Sequence, residues 1–438
     1  MKIPEVIRID VESSARHLAE MIGVFAELDL DIHALQSVAK CQKHTTWELT
    51  VELEPDQIDA VFAELEKKDF LTVLGTSDRV FKRHVGGKIR TVSTVSIESI
   101  EELRDVYTPG VARVCLAIRD DPEKAWHYTA LRRTVAVVTN GTAILGLGDI
   151  GAVAGLPVME GKAALFARLA DISAVPILIE DHDADRIVDT VRAIAPSFGA
   201  IQLEDIRAPE CFDIEERLIA SVDRPVMHDD QHGTAVVALA ALLSAAKAVD
   251  MNLTDAVVGQ IGLGAAGIGI CNLLSNYGVK QVVGSDLNAD ALARLESIGG
   301  HAAADLSDLM SRSDVVIATT GVKGLIKPEM VKQGQLILAL SNPDPEIEPD
   351  VALANGACFA ADGKSVNNVL GFPGLFKGAL MAGAKKFTPK MLVAAAEAIH
   401  DKAPAGQLVP SALDRSVHDH VAERVSKVVD AGARLRPD

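Results

Sequence analysis

Ala256-Val257-Val258-Gly259-Gln260-Ile261-Gly262-Leu263-Gly264-Ala265-Ala266-Gly267 is an apolar run that ends in a glycine turn, and its reading decides the fold. A G-x-G-x-x-G spacing between a strand-like run and a helix-like segment to Tyr277 predicts a strand, a tight turn and a helix N-terminus. The next apolar run, Gln281-Val282-Val283-Gly284-Ser285, closes on Asp286. Glycines let backbone approach a pyrophosphate, the helix N-terminus offers it free N–H groups, and an acid at Asp286 can accept from the adenosine ribose. Gly262, Gly264, Ala265, Ala266, Gly267 and Asp286 are therefore the candidate dinucleotide-binding residues. Leu287-Asn288-Ala289-Asp290 offers no cation to a 2′-phosphate, which Asp286 would repel, so NAD is favoured over NADP.

The same spacing recurs at Gly146-Leu147-Gly148-Asp149-Ile150-Gly151, but Pro157 follows closely and disfavours a helix interior there. That loop is expected to be a packed turn near the active site. From Pro225 to about residue 385 strand-like runs alternate with helical segments, as in doubly wound parallel sheets, and an alanine-rich helical stretch begins at Thr388. Ahead of this, residues 3–11, 32–38, 45–53 and 70–74 read as strands. Segments 17–28 and 57–67 between them read as helices, a β-α-β-β-α-β order of ferredoxin-like type. The expected organisation is α/β: a ferredoxin-like α+β module over 1–84, an α/β domain over 85–224, and a Rossmann-type domain with C-terminal helices over 225–438.

A net charge of −18 argues against nucleic-acid and anionic-membrane surfaces, and 4% aromatics leave few platforms on which bases could stack. The five cysteines are far apart and read as reduced thiols rather than as a metal or redox pair. Acidic residues follow Met1 at once without a signal-like apolar run, which favours a cytoplasmic location. The most membrane-like stretch, Ala235 to Val249, is short and holds Ser244 and Lys247, so it is expected to be a buried core helix.

Two acidic pairs, Glu204-Asp205 and Asp229-Asp230, precede the decisive glycine turn. Carboxylates are hard ligands suited to Mn²⁺ or Mg²⁺, and a divalent ion beside a hydride acceptor is what oxidising a hydroxy acid and removing CO₂ requires. His228 and His232 flank the second pair at zinc-like spacing, but the acids between them suit a harder ion. On residue type alone Asp229 also fits the N-cap of a helix running from Gly233 to Val249.

Four stretches together resemble malic enzymes: Val106-Tyr107-Thr108-Pro109-Gly110-Val111-Ala112, Val158-Met159-Glu160-Gly161-Lys162, Leu203-Glu204-Asp205-Ile206 and His228-Asp229-Asp230-Gln231-His232-Gly233-Thr234-Ala235. Ser341-Asn342-Pro343 and Asn367-Asn368-Val369-Leu370-Gly371-Phe372-Pro373-Gly374 extend the resemblance, which covers nearly everything from residue 85 and is closest to the compact bacterial class. The first module resembles an ACT domain, although the turn after its first strand reads Glu12-Ser13-Ser14-Ala15 rather than a glycine turn.

The resemblance implies NAD-dependent, metal-dependent conversion of L-malate to pyruvate and CO₂. Glu204, Asp205 and Asp230 would hold Mn²⁺ or Mg²⁺, and Asp229 would orient the catalytic groups. Lys162 would be the general base, its pKa lowered by burial and a nearby cation, and Tyr107 would return a proton to C3. Asn342 and Asn368 would hold malate and the nicotinamide end. Larger family members place an arginine before the glycine turn, where this chain has Asn140-Gly141-Thr142-Ala143. It also implies a homodimer or higher homo-oligomer, with the ACT-like module expected to serve either as a dimerisation element or as a small-molecule effector site. The competing expectations are a malolactic type that retains NADH and makes lactate, and a catalytically silent regulatory dimer.

Overall fold

The computed structural model describes residues 3–54, 57–76, 79–144, 147–342, 344–364 and 366–429. Gly146 of the first glycine pattern and Pro343 lie outside the described residues. The chain divides into two compact units, residues 1–90 and 91–438.

In the first unit β1 (Ile3–Glu12), β2 (Ile32–Lys40), β3 (His44–Leu53) and β4 (Leu71–Thr76) form an antiparallel sheet in the order β2-β3-β1-β4. Helices Ala15–Glu27 and Ile58–Leu65 complete the ferredoxin-like order read from the sequence. Ile7, Ile9 and Val11 of β1 alternate inward and meet Leu49, Val51 and Leu53 of β3. Met21, Val24 and Phe25 close that core from the first helix, which Ser14 caps by accepting from the N–H groups of Arg16 and His17.

The second unit carries two parallel sheets. The first joins β5 (Thr134–Thr139), β6 (Ser173–Leu178), β7 (Ala200–Leu203) and β8 (Val226–His228) in the order β6-β5-β7-β8. The second joins β9 (Val257–Ile261), β10 (Gln281–Ser285), β11 (His301–Ala302), β12 (Val315–Ala318), β13 (Leu336–Ala339) and β14 (Phe359–Asp362) in the order β11-β10-β9-β12-β13-β14. That is the doubly wound order, and its switch point falls between β9 and β12, where the decisive glycine turn emerges. Helix Asp229–Ala248 is apolar almost all round and lies in one core with residues of both sheets. The stretch after Ala235 is thus a core helix, and among the described residues no helix is long and apolar enough to cross a membrane.

Two sequence expectations need correction. Helix Ala152–Ala170 runs through Pro157. An interior proline costs about 3 kcal/mol, but each large apolar side chain buried recovers about 1.5–3 kcal/mol, and this helix buries Met159, Phe166 and Leu169. The other correction concerns Asp229, which is the first residue of its helix rather than the cap, a position taken by His228. The helix thus starts four residues before Gly233, and both acids of the second pair sit in its first turn, where the helix dipole favours negative charge.

Candidate active site

Lys162 projects from the buried face of helix Ala152–Ala170 and is only 7% exposed. Its Nζ lies 2.7 Å from Asp229 Oδ2 and 2.8 Å from Glu204 Oε1, and 4.3 Å from the centre of the Phe372 ring. Phe166, one turn on, packs edge-on against Phe372 at 4.8 Å and Phe376 at 5.4 Å, fixing the lysine helix against helix Phe372–Ala382. Asn368 enters from the turn before that helix and donates its amide to the same Asp229 Oδ2 at 2.7 Å. Asp229 therefore holds two candidate site residues through one oxygen.

Its other oxygen, Oδ1, is buried without a hydrogen-bond partner among the described residues and lies over Gly233, four residues along the helix. A Cβ at position 233 would overlap that oxygen. Glycine is required there because a side chain at i+4 would occupy the space into which Asp229 folds.

Glu204 and Asp205 follow β7, and Asp230 follows β8, the neighbouring strand. One oxygen from each of the three carboxylates falls within 4.8 Å of the others. Asp205 adopts a left-handed backbone with φ 51°, which aspartate tolerates better than most residues. Its N–H donates to Asp230 Oδ2 at 3.0 Å and its carbonyl accepts from Ala143 N–H at 3.0 Å. Gln202, a polar residue inside a buried strand, donates to Glu204 Oε2 at 2.5 Å. Asp205 Oδ2 is buried and has no hydrogen-bond partner among the described residues.

Charge in this cluster is unbalanced. Burial, opposed by Lys162 but reinforced by Asp229, Asp230 and Asp205, pushes Glu204 up to about 8. Burial and then Asp230 push Asp205 up to about 7. Burial also raises Asp229, against the pull of Lys162. Asp230 goes the other way: burial would raise it, but His228 beside it, Lys162 and the Asp205 N–H together outweigh that cost. Crowded hard oxygens, one of them orphaned, with carboxylates driven toward their neutral forms, are the donor set a divalent cation fits. Without a cation, burial acts to lower the Lys162 pKa, but Asp229 and Glu204 outweigh burial and hold the ammonium protonated.

At the second sheet Gly262 takes φ 84° and its N–H donates to the Ser285 carbonyl, binding the turn to the end of β10. Asp286 accepts from Leu263 N–H at 2.6 Å and from Asn288 N–H at 2.8 Å, so the acid also organises the turn. Gly264 caps helix Ala265–Tyr277 without a side chain, and Ala265 and Ala266 open its first turn. A Cβ at Gly267 would overlap the Gly262 carbonyl, a backbone atom that cannot swing aside. Gly267→Ala is accordingly expected to lower NADH affinity by more than about tenfold in a fluorescence titration. Unchanged affinity would remove this turn from the nucleotide site.

Asn342, exposed after β13, donates its side-chain amide to the Gly363 carbonyl at 3.1 Å. Tyr107 ends helix Ile100–Val106 and is 67% exposed, with no hydrogen bond to Lys162 among the described residues. Sequence reasoning missed Gln202, Glu215, Gln260 and Glu346. Gln260 joins the ends of β9 and β12 by donating to the Gly262 carbonyl and Thr319 Oγ1. Glu346 Oε1 accepts from Thr320 N–H and Oγ1 and from Ser341 Oγ. The available signal was a polar residue within an apolar strand, as for Gln202 and Gln260.

Comparison with known proteins places residues 86–184 and 180–219 with the N-terminal domain of malic enzymes, and residues 231–299 with the malic enzyme NAD binding domain. The chain is 51% identical over 421 residues to NAD-dependent malic enzyme 1 of Bacillus subtilis (strain 168), covering 96% of each. It is 40% identical over 446 residues to the NAD-dependent malic enzyme of Geobacillus stearothermophilus, covering 96% of this chain and 93% of that one. The crystal structure of malic enzyme from Pyrococcus horikoshii Ot3 superposes with a TM-score of 0.78 at 38% identity, covering 82% of this chain and 92% of that one.

Proposed function

Because the chain belongs to the malic enzyme family, we infer that it catalyses NAD-dependent oxidative decarboxylation of L-malate to pyruvate and CO₂. The observation that carries this reading is the junction of Lys162, Asp229 and Glu204 with the carboxylate cluster, on a chain that also bears a dinucleotide turn at a switch point.

Glu204, Asp205 and Asp230 are the proposed ligands of Mn²⁺ or Mg²⁺, which when bound supplies Lewis-acid polarisation of the C2 oxygen and of the enolate left by CO₂ loss. Lys162 takes the C2 hydroxyl proton as the C2 hydride leaves for the nicotinamide. A lysine held protonated becomes a base only when the charge facing it is compensated, and Glu204 belongs both to the lysine pair and to the ligand set. Asp229 orients the lysine and Asn368 together, and Asn368 and Asn342 supply neutral amides to malate and the nicotinamide end. Gly262, Gly264, Ala265, Ala266, Gly267 and Asp286 hold NAD.

Tyr107 is assigned the return of a proton to C3. It lies in a stretch that exposes Val92, Val95, Ile97, Ile100, Leu103 and Val106, and such an apolar surface supports assembly with a second copy of the chain. The resulting domain reading is an ACT-like module over 1–84, a substrate and metal domain over 85–224 and an NAD domain over 225–438. The module has a cavity of about 260 Å³ beside the first turn of helix Ala15–Glu27, lined by Ser13, Lys40, Thr45 and Trp47 among others, which supports a small-molecule effector there. A cytoplasmic location accords with the NAD chemistry.

The test is NADH formation, followed by absorbance, from L-malate with Mn²⁺ and either NAD or NADP, repeated after chelation. Metal-dependent NADH with stoichiometric pyruvate is expected, and NAD should outperform NADP. Lactate without net NADH would transfer the site to malolactic conversion, and no turnover at all would leave a silent protein.

A further inference from the structure

Helix Glu210–Ser221 buries Cys211, Ile214, Glu215 and Leu218, the spacing of one apolar helix face. Glu215 is a carboxylate on that face, 5% exposed, and such a group is tolerated only when its oxygens are bonded. Both are. Oε1 accepts the backbone N–H of His228 at 2.7 Å, and Oε2 lies 3.1 Å from His232 Nε2.

These partners straddle the second acidic pair. His228 is the N-cap of helix Asp229–Ala248, and His232 ends its first turn. One carboxylate therefore ties down the residue before Asp229-Asp230 and the residue one turn beyond. The His228 ring is fully buried, with Nε2 3.1 Å from Asp230 Oδ2, the oxygen that also accepts from Asp205 N–H. The path runs from Glu215 through the His228 backbone and ring to Asp230, and through Asp230 to Asp205.

We propose that Glu215 is a positioning residue for the carboxylate cluster: it holds the strand-to-helix corner at His228 so that Asp230 meets Glu204 and Asp205, without itself touching the ion. This rests on the reading of Glu204, Asp205 and Asp230 as the metal site. The His228 and His232 spacing finds its use here, as two handles on one buried glutamate.

The experiment is Mn²⁺ binding to the full-length, metal-stripped protein, followed by electron paramagnetic resonance, for wild type, Glu215→Ala, Glu215→Gln, Glu215→Asp and Asp230→Asn. Loss of an outer-shell partner typically weakens metal binding by about 10–100-fold, and that loss is expected of Glu215→Ala with an unchanged far-ultraviolet circular dichroism spectrum. Glutamine can still accept from His228 N–H and donate to a neutral His232 ring, so Glu215→Gln should bind Mn²⁺ close to wild type. Aspartate is one methylene too short to reach both partners, so Glu215→Asp should be weakened as well. It decides the matter if the alanine variant does not fold. The apparent Mn²⁺ activation constant should rise with each loss while the KM for NAD stays put.

Wild-type Mn²⁺ affinity in a folded Glu215→Ala or Glu215→Asp protein overturns the proposal. Equal loss in Glu215→Gln and Glu215→Ala would also overturn it, since charge rather than position would then matter. Asp230→Asn is the control on the underlying reading. If it binds Mn²⁺ like wild type, the metal-site assignment itself fails, whatever Glu215 does.

Discussion

Lys162→Met is expected to lower kcat by about 10²–10⁴-fold, the range in which a positioned proton-transfer group contributes. Methionine keeps much of the stem volume on the buried face between Phe372 and the carboxylates, so the helix need not repack. What it removes is the ammonium that lies 2.7 Å from Asp229 and 2.8 Å from Glu204. Two buried carboxylates then face each other without their counter-charge, and breaking a buried pair in this way costs about 3–5 kcal/mol. The metal-free variant should therefore melt earlier, while Mn²⁺, bound by carboxylates that are still present, should recover part of the loss. Steady-state turnover with malate and NAD, read beside Mn²⁺ affinity, checks this. A turnover near wild type would sink the role given to Lys162, though not the fold.

The second large effect should come from a single methyl group. Gly233→Ala sets a Cβ against Asp229 Oδ1 within one helical turn. Helix propensity favours alanine by roughly 1 kcal/mol, so a purely local view predicts a more stable protein. The packing predicts the opposite for catalysis. Asp229 can leave only by giving up Lys162 Nζ and Asn368 Nδ2, both held by its other oxygen at 2.7 Å. Displacing a positioning group by about 1 Å can cost roughly 10²-fold, and a fall of that order in kcat is expected with the circular dichroism spectrum intact. Unchanged kcat would show that Asp229 does not set the lysine geometry.

Much of the architecture was legible because periodicity and turn chemistry are local. The alternation in β1 and β3, the helix spacing between them and the glycine turn after β9 each follow from side chains a few residues apart. Pro157 misled for the same reason: its cost is local, whereas the burial that outweighs it involves residues from elsewhere in the chain. Asp229 was legible as an acid near a helix start, but not as the helix's first residue. Where the helix begins is settled by partners distant in sequence, Lys162 and Asn368 for Asp229 and Glu215 for His228.

By itself the sequence determined the order of elements, the doubly wound class, the family resemblance and the choice of hard oxygen donors, since these depend on residue type and near-neighbour spacing. The resemblance named the acids expected to converge, but the geometry that brings them together belongs to the tertiary structure. Glu204 and Asp230 are separated by a helix and a strand in the chain, and they meet because β7 and β8 are adjacent parallel strands that end at the same edge. Tertiary structure also decided the protonation of Lys162 in the metal-free cluster, where Asp229 and Glu204 outweigh burial. Burial of a lysine lowers its pKa and nearby carboxylates raise it, and which effect wins depends on distances that only folding sets.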